Sequence, residues 1–374
     1  MQLQSLHVRH FRSYAQLDME WTPGINVLSG PNGIGKTNIL EAIYYLCLTK
    51  SFLTSSDRYV LQRRADFCQA EGTFKVEGDR QERVRVVYQP GEGKRAFINK
   101  APLDRLFDIV GRFPVVVHAP DDYALTAGGP EERRRFFNNM MSQARPSFGS
   151  SLLKYRRVLQ QRNGLLQQMR KQRELPSTGL LESWNVALAD LGGAIAWQRH
   201  QFIQAFATYV AQAFAKLDIA IGTPELVYAT YADHSWHSEA DATHALREAL
   251  DRAAERERVL GRTAVGPHRD EVAFKLDGFP VRNFASQGQH RMFGLALKLA
   301  QFFYLKAQLE RLPILLLDDV FATLDAERTG LIINLLTSDE VGQSFITTAL
   351  PGIIAPMIDT DASLHQHIHL PLDA

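Results

Sequence analysis

Cysteine is scarce in this chain. Only Cys47 and Cys68 occur among 374 residues, too few for a disulfide or thiolate-metal framework, and this suits a reducing cytosol. Long apolar runs are also missing, so no segment is expected to span a bilayer and a cytoplasmic location is expected. Met1 to Phe11 alternates Leu3, Leu6 and Val8 with charged residues, unlike a signal peptide. Neither sign of charge prevails: 42 Lys and Arg face 41 Asp and Glu, a net +1, which removes any whole-chain argument for nucleic acid. No repeat or low-complexity tract stands out. What remains is ordinary soluble composition, 45% hydrophobic and 22% charged, long enough for about two domains.

One segment is far from ordinary. Gly30-Pro31-Asn32-Gly33-Ile34-Gly35-Lys36-Thr37 fits G-x-x-x-x-G-K-[ST] at every fixed position. Ile25 to Leu28 reads as a buried strand feeding it, and Asn38 to Leu48 as a helix with Ile39, Leu40, Ile43, Leu46 and Cys47 on its apolar stripe. Glycines let backbone N–H groups approach a polyphosphate, and the helix N-terminus adds positive dipole. Lys36 is expected to reach the β and γ phosphates of ATP, and the Thr37 hydroxyl to bind Mg²⁺.

Two further motifs lie near the other end. Pro313 opens an apolar run, Ile314 to Leu317, that suits a buried parallel strand ending in Asp318-Asp319. Asp318 is expected to hold Mg²⁺ and Asp319 to orient or activate the attacking water. Asp319 is one methylene shorter than Glu, which predicts loose positioning and slow hydrolysis. Ser286-Gln287-Gly288-Gln289 precedes an amphipathic pattern through Phe293, Leu297, Ala300 and Tyr304. Its Ser suits an ordinary N-cap. A second reading makes it an anion site that caps ATP on a partner subunit.

Between these ends the strand signal nearly vanishes, from about Tyr123 to Arg262. Phe148 to Arg173 and Leu181 to Leu217 carry helical spacing, with a turn at Leu175-Pro176-Ser177-Thr178-Gly179. The insertion lacks the sustained heptads of a long coiled-coil arm. From Glu131 to Glu174 eleven Lys and Arg residues face three Glu, enough to neutralise several DNA phosphates, or alternatively a solvated face. Trp184 and Trp197 suit packing better than base stacking. His365, His367 and His369 share one face if the tail is a strand, and an edge strand is favoured over a metal site.

The chain resembles the ABC-type ATPase superfamily, and more closely its RecF branch. Beyond the motifs above, the resemblance rests on Gly24 to Leu28, Asn38 to Ile43, Gly129-Pro130 with Arg133-Arg134-Arg135, and Tyr155, Leu159 and Gln161-Arg162-Asn163. Val265-Gly266-Pro267-His268-Arg269-Asp270 and Leu315 to Phe321 with Leu324-Asp325 complete it. Departures from the family pattern stand at Leu53, Asp121, Phe137-Asn138 and Ala322-Thr323. Those at Leu53 and Asp121 weaken any nucleotide contact carried over to them. The role of His268 stays open.

The resemblance implies an α/β fold: an ABC-type P-loop ATPase head with a mixed sheet, plus an inserted compact helical lobe. Residues 1–117 and 262–374 are expected to build the head and 118–261 the lobe. It further implies an ATP-dependent homodimer on double-stranded, gapped or junction DNA, with slow, DNA-dependent hydrolysis as a release switch. RecR, with RecO and RecA, is the implied set of protein partners in recombinational repair and replication maintenance. A transporter ATPase subunit is disfavoured by Gln287, Asp319 and the insertion. A P-loop kinase would have no reason to dimerise, and an SMC-like structural protein would need a longer arm.

Overall fold

The computed structural model describes residues 1–172, 178–232, 236–349, 352 and 364–371. Its first part runs β1 (Gln2–Phe11), β2 (Tyr14–Glu20), β3 (Ile25–Ser29), α1 (Lys36–Leu48), β4 (Cys68–Lys75), β5 (Gln81–Gln89), β6 (Gly93–Ile98), β7 (Ala101–Pro102) and β8 (Val115–His118). There follow α2 (Tyr123–Ala127), α3 (Pro130–Ala144), α4 (Pro146–Gln172), α5 (Thr178–Lys216), β9 (Pro224–Ala229) and α6 (Glu239–Leu260). The last part holds β10 (Glu271–Leu276), β11 (Phe279–Pro280), α7 (Val281–Phe284), α8 (Gln287–Leu309), β12 (Ile314–Asp318), α9 (Ala326–Leu336), β13 (Ser344–Thr348) and β14 (Gln366–His369). The expected turn at Leu175 to Ser177 lies outside the described residues, and Thr178 already begins α5.

Two compact units result. The first comprises 1–123, 212–220 and 292–374, and so joins both chain ends. Its mixed α/β character is divided between two sheets. Alternating apolar residues build an antiparallel sheet ordered β2-β1-β4-β5-β6-β7, while a parallel sheet is ordered β14-β3-β13-β12-β8, with consecutive apolar residues in β8 and β12. Every residue of β3, β12 and β13 is buried, as a parallel strand covered on both faces requires. Helix α1 touches both sheets and is buried nearly all round. Leu3, Leu6 and Phe11 meet Ile39, Ile43 and Leu46 and the sheet residues Val115, Ile314 and Phe345 in one core. Cys47 and Cys68 are free and buried there, and burial pushes the Cys68 thiol up to about 12.

The second unit comprises 124–211 and 221–291. It is mainly helical but contains a three-stranded antiparallel sheet ordered β11-β10-β9. Strand β9 is the one strand among the described residues between Tyr123 and Arg262, where the sequence carries little strand signal. It is weakly patterned because Val227 faces solvent and Tyr228 is its one fully buried side chain. Its partner β10 comes some forty residues later, pairing Glu271 with Ala229 through Leu276 with Pro224. Residues 262–291, expected with the head, therefore cluster with this unit.

A buried ionic knot ties the second unit together. Arg162 on α4 is 1% exposed and donates to Asn185 of α5, to Thr263 Oγ1 at 2.8 Å and to Glu257 of α6 at 2.6 Å. Glu257 also accepts from the Ala264 amide, and Asn163 accepts from Thr263. Removing one partner leaves a buried charge unpaired, so Arg162→Ala is expected to cost about 3–5 kcal/mol. Urea unfolding followed by circular dichroism checks this; a loss under 1 kcal/mol would contradict it.

Candidate nucleotide site

The phosphate loop joins β3 to α1 as its sequence predicts. Gly30 and Gly35 hold φ of 144° and 109°, which side-chain-bearing residues avoid. A Cβ on Gly30 would also sit 2.5 Å from the Leu370 carbonyl oxygen, and one on Gly35 2.8 Å from the Tyr14 hydroxyl. Pro31, Asn32 and Gly33 form the exposed crest, and Ile34 N–H donates to the Pro31 carbonyl. The buried Lys36 ammonium donates to the Gly30 carbonyl at 2.6 Å and the Pro31 carbonyl at 3.0 Å. An ammonium has three donors, so the third is available to an anion. No acid occupies the first turn of α1, whose dipole and free amides therefore favour negative charge.

The second half of the pocket is Asp318, at the carboxyl end of β12. Its buried carboxylate accepts from the Thr37 hydroxyl, at 2.9 Å and 3.0 Å from the two oxygens, and from Thr347 Oγ1 at 2.7 Å. Burial raises the Asp318 pKa above the ordinary carboxylate range, the neighbouring Asp319 adds to the rise, and the threonine bonds and Lys36 oppose it. Thr347 also accepts from the Asp319 amide at 3.0 Å. Asp319 itself has a φ of 50°, a left-handed turn that Asp tolerates better than most residues. Sequence reasoning missed Thr347. Its signal was a hydroxyl at the end of a fully buried strand parallel to β12.

Thr37 and Asp318, the expected metal ligands, are thus in direct contact. They form an all-oxygen pair beside the lysine, a donor set that suits a hard cation such as Mg²⁺ completed by phosphate oxygens and water. Two ionic groups of the same unit carry no signature in the sequence. Arg12 pairs with buried Glu41 of α1 through two bonds of 2.6 Å, and Ser51 also donates to Glu41. Beyond β8, Asp122 accepts from Lys298 at 2.8 Å and from the Ala119 amide, with His118 3.4 Å away. Burial would raise the Asp122 pKa, but Lys298 and His118 together hold it well below the usual range. Asp121, one of the departures, is exposed beside it.

Ser286 to Gln289 belong to the second unit, not to the unit holding the loop and Asp318. There they form a reciprocal capping box at the start of α8. The Ser286 amide donates to Gln289 Oε1 at 2.8 Å, and the Gln289 amide to Ser286 Oγ at 3.3 Å. Ser286, Gln287 and Gly288 are exposed. His268 is half-buried, and burial is the main cause that lowers its pKa to about 4. It meets the Tyr155 hydroxyl at 2.7 Å and shapes the turn that presents Asp270 to Arg199 and Thr230.

The basic run does not form one continuous face. Arg133 pairs with Glu271, Arg134 donates to the Asp270 carbonyl, and Arg162 is buried. Arg145, Lys154, Arg156, Arg157, Arg170 and Lys171 are exposed, five of them on the acid-free helix α4. At the C-terminal end, His367 and His369 both meet the Ser29 hydroxyl, and His365 Nδ1 accepts from the Ile25 amide. Among the described residues no His, Cys, Asp and Glu group is arranged to hold a metal, and no helix is long and apolar enough to cross a membrane.

A family model for the RecF/RecN/SMC N-terminal domain matches residues 2–362. The DNA replication and repair protein RecF of Salinibacter ruber is 47% identical over 99% of this chain and 90% of its own length. The chain belongs to the RecF family. RecF of Chloroherpeton thalassium is 43% identical, covering 93% of this chain and 95% of its own. A solved structure described as the recombination mediator protein RecF with ATP, in the RecFOR pathway, superimposes with a TM-score of 0.88. It is 26% identical and covers 96% of this chain and 93% of its own. An Smc head from Pyrococcus furiosus with a bound ScpA domain, 16% identical with a TM-score of 0.53 over 95% of this chain and 91% of its own, shares the fold.

The raised Asp318 pKa carries a sign. A carboxyl that keeps its proton longer when folded makes stability fall as pH climbs from the unfolded toward the folded pKa. At neutral pH without nucleotide or metal, its charge is a cost. Asp318→Asn is therefore expected to raise Tm by about 2–4 °C for each ~1 kcal/mol relieved. The same variant should weaken Mg²⁺-dependent nucleotide binding about tenfold or more. Differential scanning fluorimetry with and without Mg²⁺-ATP reads both; unchanged affinity would remove Asp318 from the site.

Proposed function

We propose that this RecF-family chain uses ATP to close a homodimer on DNA during recombinational repair and replication. The observation that carries the reading is the contact between the Thr37 hydroxyl and the Asp318 carboxylate beside the cradled Lys36 ammonium. An ammonium and an oxygen pair so close to one glycine loop support a phosphate-binding role for Lys36 and a Mg²⁺-binding role for Thr37 and Asp318, and relatives named RecF-ATP support the choice of nucleotide. Lys36 exchanges loop carbonyls for phosphate oxygens, and the α1 amides take the remaining charge. Mg²⁺, held by Thr37 and Asp318, would neutralise β and γ charge. Asp319 orients the attacking water at the turn after β12, and its short side chain keeps hydrolysis slow enough to time release.

Ser286 to Gln289 act on ATP held by the second subunit. For this, the capping box opens: a γ-phosphate takes over the Gln289 amide that Ser286 Oγ now satisfies. The exposed basic residues of α4 contact the DNA backbone, which makes binding salt-dependent. Gaps or junctions between single- and double-stranded DNA are the proposed sites, and RecO and RecR the partners with which RecA is loaded. The RecFOR pathway named for the relatives supports this assignment.

Replacing the compact Lys36 ammonium by a planar fork, Lys36→Arg, should weaken ATP binding about tenfold or more and abolish nucleotide-dependent DNA retention. Gel shifts on gapped and blunt duplexes with ATP, ADP or no nucleotide provide the measurement. Tight binding of gapped DNA only with ATP, lost in the variant, is expected. Binding indifferent to nucleotide would refute the proposal.

A further inference from the structure

The capping-box motif is preceded by an apolar knob that its role in helix capping does not explain. Asp277 and Gly278, with φ of 48° and 81°, make a two-residue turn joining β10 to β11, across which Leu276 pairs with Phe279. The tip is pinned: Asp277 Oδ1 accepts from the Thr223 amide at 2.9 Å, and the Asp277 amide donates to the Thr223 carbonyl at 3.1 Å. Buried Val281 then anchors α7, and the Ala285 amide closes it on the Val281 carbonyl. The consequence is that Phe279 and Phe284 stand 62% and 70% exposed on ordered backbone, their rings 5.7 Å apart.

Single exposed apolar residues are common, but two phenylalanines in ring contact on a pinned hairpin mark an interaction surface. The chemistry around them is one-sided. No Asp or Glu occurs from Gly278 to Leu309, and Arg282 and Arg291 are exposed on either side of Ser286 to Gln289. Asp277, the acid nearest the pair in sequence, is tied to Thr223, so two exposed aromatics followed by two exposed arginines have the composition of an interface centre facing an anionic partner. The rings pack on each other rather than standing apart as platforms for successive bases, which favours a protein partner over single-stranded DNA.

We infer that Phe279 and Phe284 are the apolar anchor by which a second copy of this chain docks onto the Ser286–Gln289 segment, with that copy's ATP facing Arg282 and Arg291. This rests on the ATP-closed dimer proposed above and adds the contact that holds it. Once formed, the aromatic contact excludes water beside the phosphate and strengthens the polar bonds to it.

The test uses the full chain with Phe279→Ser/Phe284→Ser, and Phe279→Leu/Phe284→Leu as the conservative pair. Dimerisation with Mg²⁺-ATP is followed by sedimentation velocity, and ATP binding by the monomer with a fluorescent ATP analogue. The serine pair should raise the dimer dissociation constant about tenfold or more, leave monomer ATP affinity unchanged, and be largely rescued by the leucine pair. Wild-type dimerisation of the serine pair would overturn the anchor, as would loss of DNA binding with the dimer intact. A wild-type chain that stays monomeric in ATP instead overturns the dimer reading, and the anchor with it.

Discussion

A buried carboxylate is the constraint on which the candidate site depends. Asp318 sits buried at the end of a strand, and its carboxylate accepts from two threonine hydroxyls from different parts of the chain. Thr37 arrives on α1 because the glycine loop reverses the chain after β3. Thr347 arrives on β13 because that strand lies between β3 and β12. The same oxygen cluster that hydrogen-bonds Asp318 in the free protein is what a magnesium ion would bind. In the proposed account, folding builds the ligand pair and holds it at a cost that metal and nucleotide would relieve.

The second unit follows a different logic. Its charged motifs are structural: Arg162, Glu257 and Thr263 lock helices together, and Arg199 and His268 set the turn before β10. Much of the family pattern that looks chemical in sequence is a set of buried knots of this kind. The exposed residues, on α4 and around Phe279 to Arg291, remain to meet partners. In the proposed account, ATP links the two units' tasks by joining the loop of one subunit to the capping motif of another.

The phosphate loop, Asp318, Asp319 and the parallel strands were legible because each rests on local rules. A glycine at positive φ, a hydroxyl after a lysine and four consecutive apolar residues leave little choice. Strand β9 was not legible, since Val227 points outward and its pairing partner is forty residues away. Thr347 was hidden for a related reason, because its role is defined by β12, which is distant in sequence. The arginine run misled in part: sequence counts charge but cannot tell that Arg133 and Arg162 are turned inward toward Glu271 and Glu257. Where the free chain shows an ordinary capping box at Ser286, sequence had offered both that and an anion site.

The central claim is that ATP closes a dimer through this loop. Its most direct measurement is the molar mass in solution by light scattering, at fixed concentration, with Mg²⁺-ATP, Mg²⁺-ADP and no nucleotide. The account predicts a monomer without nucleotide and with ADP, and a doubled mass with Mg²⁺-ATP. An equal mass in all three conditions would contradict it.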